Sequence, residues 1–359
     1  MDCEVIDADG HVFEDYADIR NFYTGPLAGR VGSGRLVPDD HFHIWTDAKP
    51  QENVGPRVIG TADEWLDFLD KTGVSQTMIF PSGGLAIGMV VNVEYSVAYC
   101  QAYNNWLHER YLKQSPKLHA AGLLPIADVQ ESIAELQRGN SKLGMNVFML
   151  PSTGQAMGKH LGDRMYWPLY QEAERLDCVL AVHGGKHHGF GALDSFSVYY
   201  PVHGLGHAFG QVVQCAGMVS HGVFDQFPHL KVAFLEGGSC WLPFLMERLD
   251  RSFETHSDQS FRRGPMGPTE EEKPSEYVTR LVSEGRLYVG FDLGEQMLGY
   301  AVQRAGAGGF IYASDFPHEG FSPEYARHEI EEVMERPDLT DEAKVAVLGG
   351  NAKRLYGLA

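Results

Sequence analysis

Apolar residues along this chain fall in short runs separated by stretches with helical periodicity. Eight runs stand out, at residues 3–7, 76–81, 119–125, 146–151, 178–183, 231–236, 286–291 and 309–314. Several, such as Val147-Phe148-Met149-Leu150 and Phe310-Ile311-Tyr312-Ala313, are apolar at every position. A strand with one wet face alternates; a continuous run suits a parallel strand covered on both faces. The segments between them read as helices. Thr61-Ala62-Asp63-Glu64 forms a capping-box pattern that opens the helix 61–73. Further helical patterns cover 96–112, 128–144, 165–177, 206–222, 241–256, 294–306 and 340–358.

Eight strands alternating with helices predict a (β/α)8 TIM barrel, read as one domain over residues 1–359. An open doubly wound sheet is the alternative, but the glycine fingerprint of its nucleotide-binding form is missing. Three stretches break the alternation. Residues 12–60 follow the first strand and contain His41 and His43. Residues 184–206 follow the fifth and carry His187, His188, Tyr199, Tyr200 and His203. Loops that follow barrel strands lie on the catalytic face, so both are expected to wall a pocket. The third, 257–285, is polar, holds Arg262 and Arg263, and follows a helix; it is expected at the surface or at a subunit contact.

Candidate chemistry sits where the apolar runs stop. Asp9 and His11 are two apart just after Val5-Ile6, so on an extended strand both face one way and can reach one ion. Taken alone, Asp9 could equally cap a turn at Gly10. Asp7 shares their parity and can orient a ligand, and Glu14 is near enough to bind or support. The run CVLAVHGG ends on His183, and KVAFLEGG ends on Glu236. A Glu after Val-Ala-Phe-Leu is costly when buried without a partner, so it meets a cation or lies solvated at the strand tip. Asp315 ends the last run, with Pro317 and His318 close behind; a helix N-cap is its bland reading. His207 and His221 lie fourteen residues apart on one helical pattern, about four turns, so at most one reaches the site, and His207 is the better placed. His160 and Arg164 follow the fourth strand and could meet an acidic substrate or solvent.

Composition narrows the partners. A net charge of -19, from 29 Lys+Arg against 48 Asp+Glu, argues against nucleic acid or an anionic membrane. Five cysteines without a C-x-x-C pair read as reduced thiols rather than a disulfide framework. The N-terminus lacks the basic and apolar regions of a signal peptide, and no apolar segment approaches ~18 residues. A cytoplasmic protein acting on a small molecule is expected.

Taken in order, several segments resemble the amidohydrolase superfamily, in the branch of the aminocarboxymuconate semialdehyde decarboxylase-like enzymes. They are Asp9-Gly10-His11, AVHGG around His183, GVFDQFPHLKVAFLEGG with WLPFLMERLD, ASDFPH, and the closing NAKRLYGL. The resemblance spans nearly the whole chain. It implies a metal-dependent (β/α)8 barrel that hydrolyses, decarboxylates or hydrates small carboxylic acids and their derivatives, and it implies a homo-oligomer. The family's strand-1 pattern is D-x-H-x-H; here Asp9 stands at the first His. His183 matches the strand-5 ligand and Asp315 the strand-8 ligand, while Glu236 stands where a strand-6 His is common. The implied site is a divalent transition metal, Zn, Mn or Fe, as one or two ions held by Asp9, His11, His183, Glu236, Asp315 and Glu14. Extra carboxylates favour Mn or Fe over Zn. A second ion would need Asp9, Glu14 or Glu236 as its bridge.

Asp315, Glu236 and His207 are the expected catalytic groups. Hydrolysis of an ester, thioester, amide or carbon–carbon bond next to a carbonyl is the first expectation, with Asp315 handling the proton of an activated water. Phe190, Phe196, Tyr199, Tyr200, Phe291 and Phe316 would suit a bulky apolar or aromatic group. Non-oxidative decarboxylation of a small or aromatic acid, with Asp315 protonating the carbon, is the alternative. A non-catalytic binding barrel is the third.

Overall fold

The structure is a computed structural model that describes residues 3–32, 34–38, 58–185, 190–256, 267–292, 294–318 and 322–358. The capping box at Thr61 forms as the sequence predicts. The Thr61 hydroxyl accepts the Glu64 N–H, and the Glu64 carboxylate accepts the Thr61 N–H at 2.8 Å. The helix Ala62–Thr72 then buries Trp65, Phe68 and Leu69, and Gly73 ends it in the left-handed conformation that glycine adopts without penalty.

The strands are β1 (Val5–Val12), β2 (Val74–Pro81), β3 (Leu118–Ala120), β4 (Gly122–Leu123), β5 (Val147–Pro151), β6 (Val179–His183), β7 (Lys231–Leu235), β8 (Leu287–Phe291) and β9 (Phe310–Tyr312). All pairs are parallel and follow chain order, β1-β2-β3 and β4-β5-β6-β7-β8-β9. Every residue of β5, β6 and β8 is buried, as their unbroken apolar runs require. Each large side chain so covered contributes about 1.5–3 kcal/mol.

Two seams turn these ladders into a ring. β3 and β4 are halves of one barrel strand separated by Ala121, whose N–H still donates to Ile79 O in β2 at 2.9 Å. Beyond the break, the Asn104 side chain takes the Leu123 N–H and donates back to Leu123 O, at 2.8 and 3.0 Å. At the other seam the Asp315 N–H donates to Asp9 O (3.1 Å) and the His11 N–H to Phe316 O (2.7 Å). These last bonds join the end of the chain's final strand to its first, which an open sheet would not do. The closing segment locks that seam. Asn351 Nδ2 donates to Ala307 O and Phe310 O, both at 2.7 Å, and Tyr356 Oη donates to Ala8 O at 2.9 Å.

Several boundaries differ from expectation. β1 runs to Val12 rather than stopping at residue 7, because Gly10, His11 and Val12 stay in register with Ile79, Phe80 and Pro81. The helix Tyr199–Ser220 begins seven residues before the predicted start, inside the stretch 184–206. Val202 packs on Leu193 there, and Pro201 lies in the first turn, where no N–H is needed. In the third stretch, Pro274–Ser283 is a helix that buries Tyr277, Val278, Leu281 and Val282. The candidates His41, His43, His187, His188, Arg262 and Arg263 lie outside the described residues. Among the described residues no helix is long and apolar enough to cross a membrane.

Candidate metal centre and active site

β1 carries a row of polar groups into the barrel. Asp7 is fully buried and accepts from Thr77 Oγ1 (2.8 Å), Ser314 N (2.9 Å) and Ser314 Oγ (2.9 Å). It ties β1 to β2 and to the segment that follows β9. Burial lifts its carboxyl to about 6, against the pull of those hydrogen bonds. Asp9 and His11, on the same parity, are also buried and come together as predicted.

His183 at the end of β6 places Nε2 3.0 Å from Asp9 Oδ1, with His11 Nε2 3.5 Å from the same oxygen. His11 Nε2 is 3.4 Å from Asp315 Oδ1. His183 Nδ1 lies 2.7 Å from Gly184 O and 3.2 Å from Glu236 Oε2. His207, on the helix Tyr199–Ser220, presents Nδ1 to that same Glu236 oxygen at 3.2 Å. Gly184, beside His183, has no side chain to occupy the space next to the cluster. The protein fills that space itself: a Cβ there would collide with His207 Nδ1 and the Glu236 carbonyl.

Glu236 and Asp315 share an unusual backbone. Each follows its strand with φ in the left-handed region, 55° and 54°. That conformation costs a non-glycine residue of order 1–3 kcal/mol and clusters at functional sites. It swings both carboxylates off the strand direction and over the barrel mouth, where they are 16% and 28% exposed, while Asp9, His11 and His183 lie below.

The donor set fits a cation. Burial, followed by the neighbouring His318 and His183, pushes His11 well below its ordinary range, so the ring is neutral. Its Nδ1 lies 3.0 Å from Pro81 O and donates to it, which turns a bare Nε2 lone pair inward. That buried Nε2 makes no hydrogen bond among the described residues and points between two carboxylate oxygens. A lone pair facing anions needs a positive charge between them. Atoms that each bind one ion at about 2.1 Å sit roughly 3.0–3.4 Å apart, close to the spacing seen here. His183 makes the same demand. Burial disfavours its charge, yet the Asp9 and Glu236 carboxylates outweigh burial and lift it well above the usual imidazole range. Glu236, despite burial, is held well below the carboxylate range by His207 and His183. Two groups of atoms lie close enough for an ion: Asp9, His11 and His183, and His11, Glu236, Asp315 and His318.

Not every candidate joins them. Glu14 is not brought to the cluster. Its two carboxylate oxygens accept the N–H groups of Gly83 and Gly84 at 2.8 and 2.6 Å, because the chain after Val12 turns toward the end of β2. His221 packs against His160 (4.6 Å between ring centroids), and Arg164 lies over Trp167 (4.8 Å). A cavity of about 430 Å³ opens on Glu236, His207 and Asp315 and is lined further by His203, Ala208, Cys240, Gln296, Met297, Ala313 and Tyr325. The loop aromatics expected to line it do not: Phe291 is buried, Phe316 stacks on Phe68 at 4.1 Å and Phe190 packs on Phe209. A second cavity of about 410 Å³, against Glu295, Glu329 and Arg336, lies away from the histidines.

A parallel barrel with His and Asp converging at the C-terminal ends of its strands defines a class of enzyme. The amidohydrolase family model matches residues 6–358, and the chain belongs to that family. It is 26% identical over 198 residues to 2-amino-3-carboxymuconate-6-semialdehyde decarboxylase of Dictyostelium discoideum, covering 51% of this chain and 54% of that one. It is 32% identical over 183 residues to the decarboxylase orsB of Emericella nidulans, covering 48% and 52%. The chain thus spans about half the length of these curated relatives. A solved dihydroxybenzoic acid decarboxylase from a Polaromonas species, with bound manganese and the inhibitor 2-nitroresorcinol, is similar over 99% of this chain and 98% of its own. Its TM-score of 0.71 at 19% identity supports the shared fold.

Proposed function

We propose that this enzyme is a metal-dependent, non-oxidative decarboxylase of a small or aromatic carboxylic acid. Hydrolysis, the first expectation from sequence, ranks below it because the curated relatives are decarboxylases. The observation that carries the metal part is the inward lone pair of His11, set between Asp9 and Asp315 beside a cavity large enough for one ring.

His11, His183, Asp9 and Asp315 would hold the ion, with Glu236 the nearest further carboxylate. Both candidate groups need His11 Nε2, and a neutral imidazole nitrogen serves one ion, so we read one ion; the carboxylates favour manganese or iron over zinc. When bound, such an ion supplies a Lewis acid for the substrate carboxylate and a neighbouring oxygen. Asp315, at the cavity floor, gives a proton to the carbon that bears the carboxylate. The carbon–carbon bond then breaks, carbon dioxide leaves, its bonding pair stays with the ring, and solvent reprotonates Asp315. Glu236 remains ionised and orients His207, whose ring lines the cavity as a hydrogen-bonding wall.

The test is to load the protein with manganese and offer dihydroxybenzoates beside aryl esters of similar size. Carbon dioxide and a phenol in equal amounts are expected. Ester cleavage without carbon dioxide would restore hydrolysis. Self-association also remains a proposal. In WLPFLMERLD, Trp241, Leu242, Leu245 and Met246 pack inward and Phe244 is exposed, so the segment chiefly covers the barrel.

A further inference from the structure

Because Asp315 has left the strand geometry, pairing with β1 does not decide where its carboxylate points. His318 does. Its Nδ1 lies 2.7 Å from Asp315 Oδ1, and its Nε2 lies 2.7 Å from Ser82 Oγ, on the residue after β2. The His318 N–H donates to Asp315 O at 2.8 Å and closes the turn. The ring also stacks on His11, with centroids 4.0 Å apart and planes inclined by 24°.

Each nitrogen of His318 thus has a polar atom 2.7 Å away, Nε2 in a hydrogen bond with Ser82 and Nδ1 in an ion-pair contact with Asp315, so turning the ring toward an ion would break one contact. We infer that Ser82 and His318 are positioning residues that hold Asp315 Oδ1 facing His11 Nε2 and so complete the metal site. When Ser82 donates its hydroxyl to Nε2, the proton of the neutral ring sits on Nδ1, the nitrogen that faces Asp315 Oδ1. Ser82 is itself anchored. Its N–H donates to Val12 O at 3.1 Å, and the next two N–H groups are held by Glu14. Glu14, read from sequence as a ligand, thus acts three contacts behind Asp315 rather than on the ion itself. Groups behind a ligand typically change metal affinity 10–100-fold when removed.

This inference rests on His11 and Asp315 sharing an ion, and its test reads binding rather than turnover. Manganese affinity is measured by chelator competition on the full chain. In His318→Asn the amide nitrogen can stand near the place of Nδ1 and keep the Asp315 contact. In His318→Gln it stands near the place of Nε2 and keeps only Ser82. His318→Asn should stay within about 3-fold of the parent, and His318→Gln should bind at least about 10-fold more weakly. Equal affinities in the two variants would overturn the brace. Ser82→Ala keeps both histidines and serves if His318→Gln melts early; unchanged affinity there would remove Ser82 from the brace. A parent chain that binds no manganese would instead sink the metal reading beneath it.

Discussion

The two halves of the site are built differently. Asp9, His11 and His183 lie within strands and are at most 2% exposed; His11 and His183 inherit their direction from ladder register, and Asp9 lies at the register shift between Asp7 and Gly10. Glu236 and Asp315 lie one or more residues past their strands, in left-handed backbone, each against a histidine outside the strands: His207 of the helix Tyr199–Ser220 for Glu236, and His318, three residues on, for Asp315. Depth and stiffness suit holding a charge. The rim suits moving a proton, because a carboxylate there can meet both substrate and solvent. On the proposed reading, one cluster of like residues divides its labour by how each backbone enters it.

The largest effect that would break this division is expected in the deep half. His11→Ala should drop metal content below about a tenth of the parent's and abolish turnover, read by elemental analysis after manganese loading. A full complement of metal in that variant would contradict the ligand set. Next comes the rim. Asp315→Asn should keep the fold and much of the metal while turnover falls at least ~10²-fold, the lower range for a positioned proton donor. Near-normal turnover would remove Asp315 from the proton step. Third, Asp7 tests the deep half without metal. Its folded pKa, about 6, lies above the ~3.9 of an exposed Asp. Its contribution is therefore fully present below about pH 4 and lost as pH rises through about 6. On metal-free protein, the stability difference between parent and Asp7→Asn should shift toward the variant by up to about 3 kcal/mol between pH 4 and 7. A pH-independent difference would mean that burial does not disfavour its charge. Smallest is Glu14→Gln, which should leave manganese bound and cost about 1 kcal/mol in melting experiments. Complete loss of metal would return Glu14 to the ligand set.

Much of the fold and the deep half could be read from sequence because periodicity and burial speak directly there. His11, His183 and Asp315 each sit at an apolar run, and a charge at such a place needs a reason. The rim was harder. Nothing in Phe-Leu-Glu-Gly-Gly announces that Glu236 takes the left-handed conformation, since that depends on what surrounds it. Glu14 misled because nearness in sequence to His11 does not survive the turn after Val12. Ser82 left a signal that could have been followed: the run Met78-Ile79-Phe80-Pro81 ends on a hydroxyl before two glycines. A serine there is ordinarily a solvated turn residue, and only the fold brings His318 to it. The break at Ala121 becomes visible only through Asn104, whose side chain holds Leu123 nineteen residues later.

The tie between Tyr356 and Ala8 has a consequence for synthesis. Asn351 and Tyr356 fasten the backbone of the two strands that bring Asp9 and Asp315 together. Neither fastening can exist before the chain has been made through Asn351 and Tyr356. A nascent polypeptide that has emerged only as far as β8 presents His11 and His183 but has no neighbour for the outer edge of β1. Metal loading at the proposed site is therefore expected only once residue 356 has been made, and a product clipped before it would expose the outer edge of that first strand.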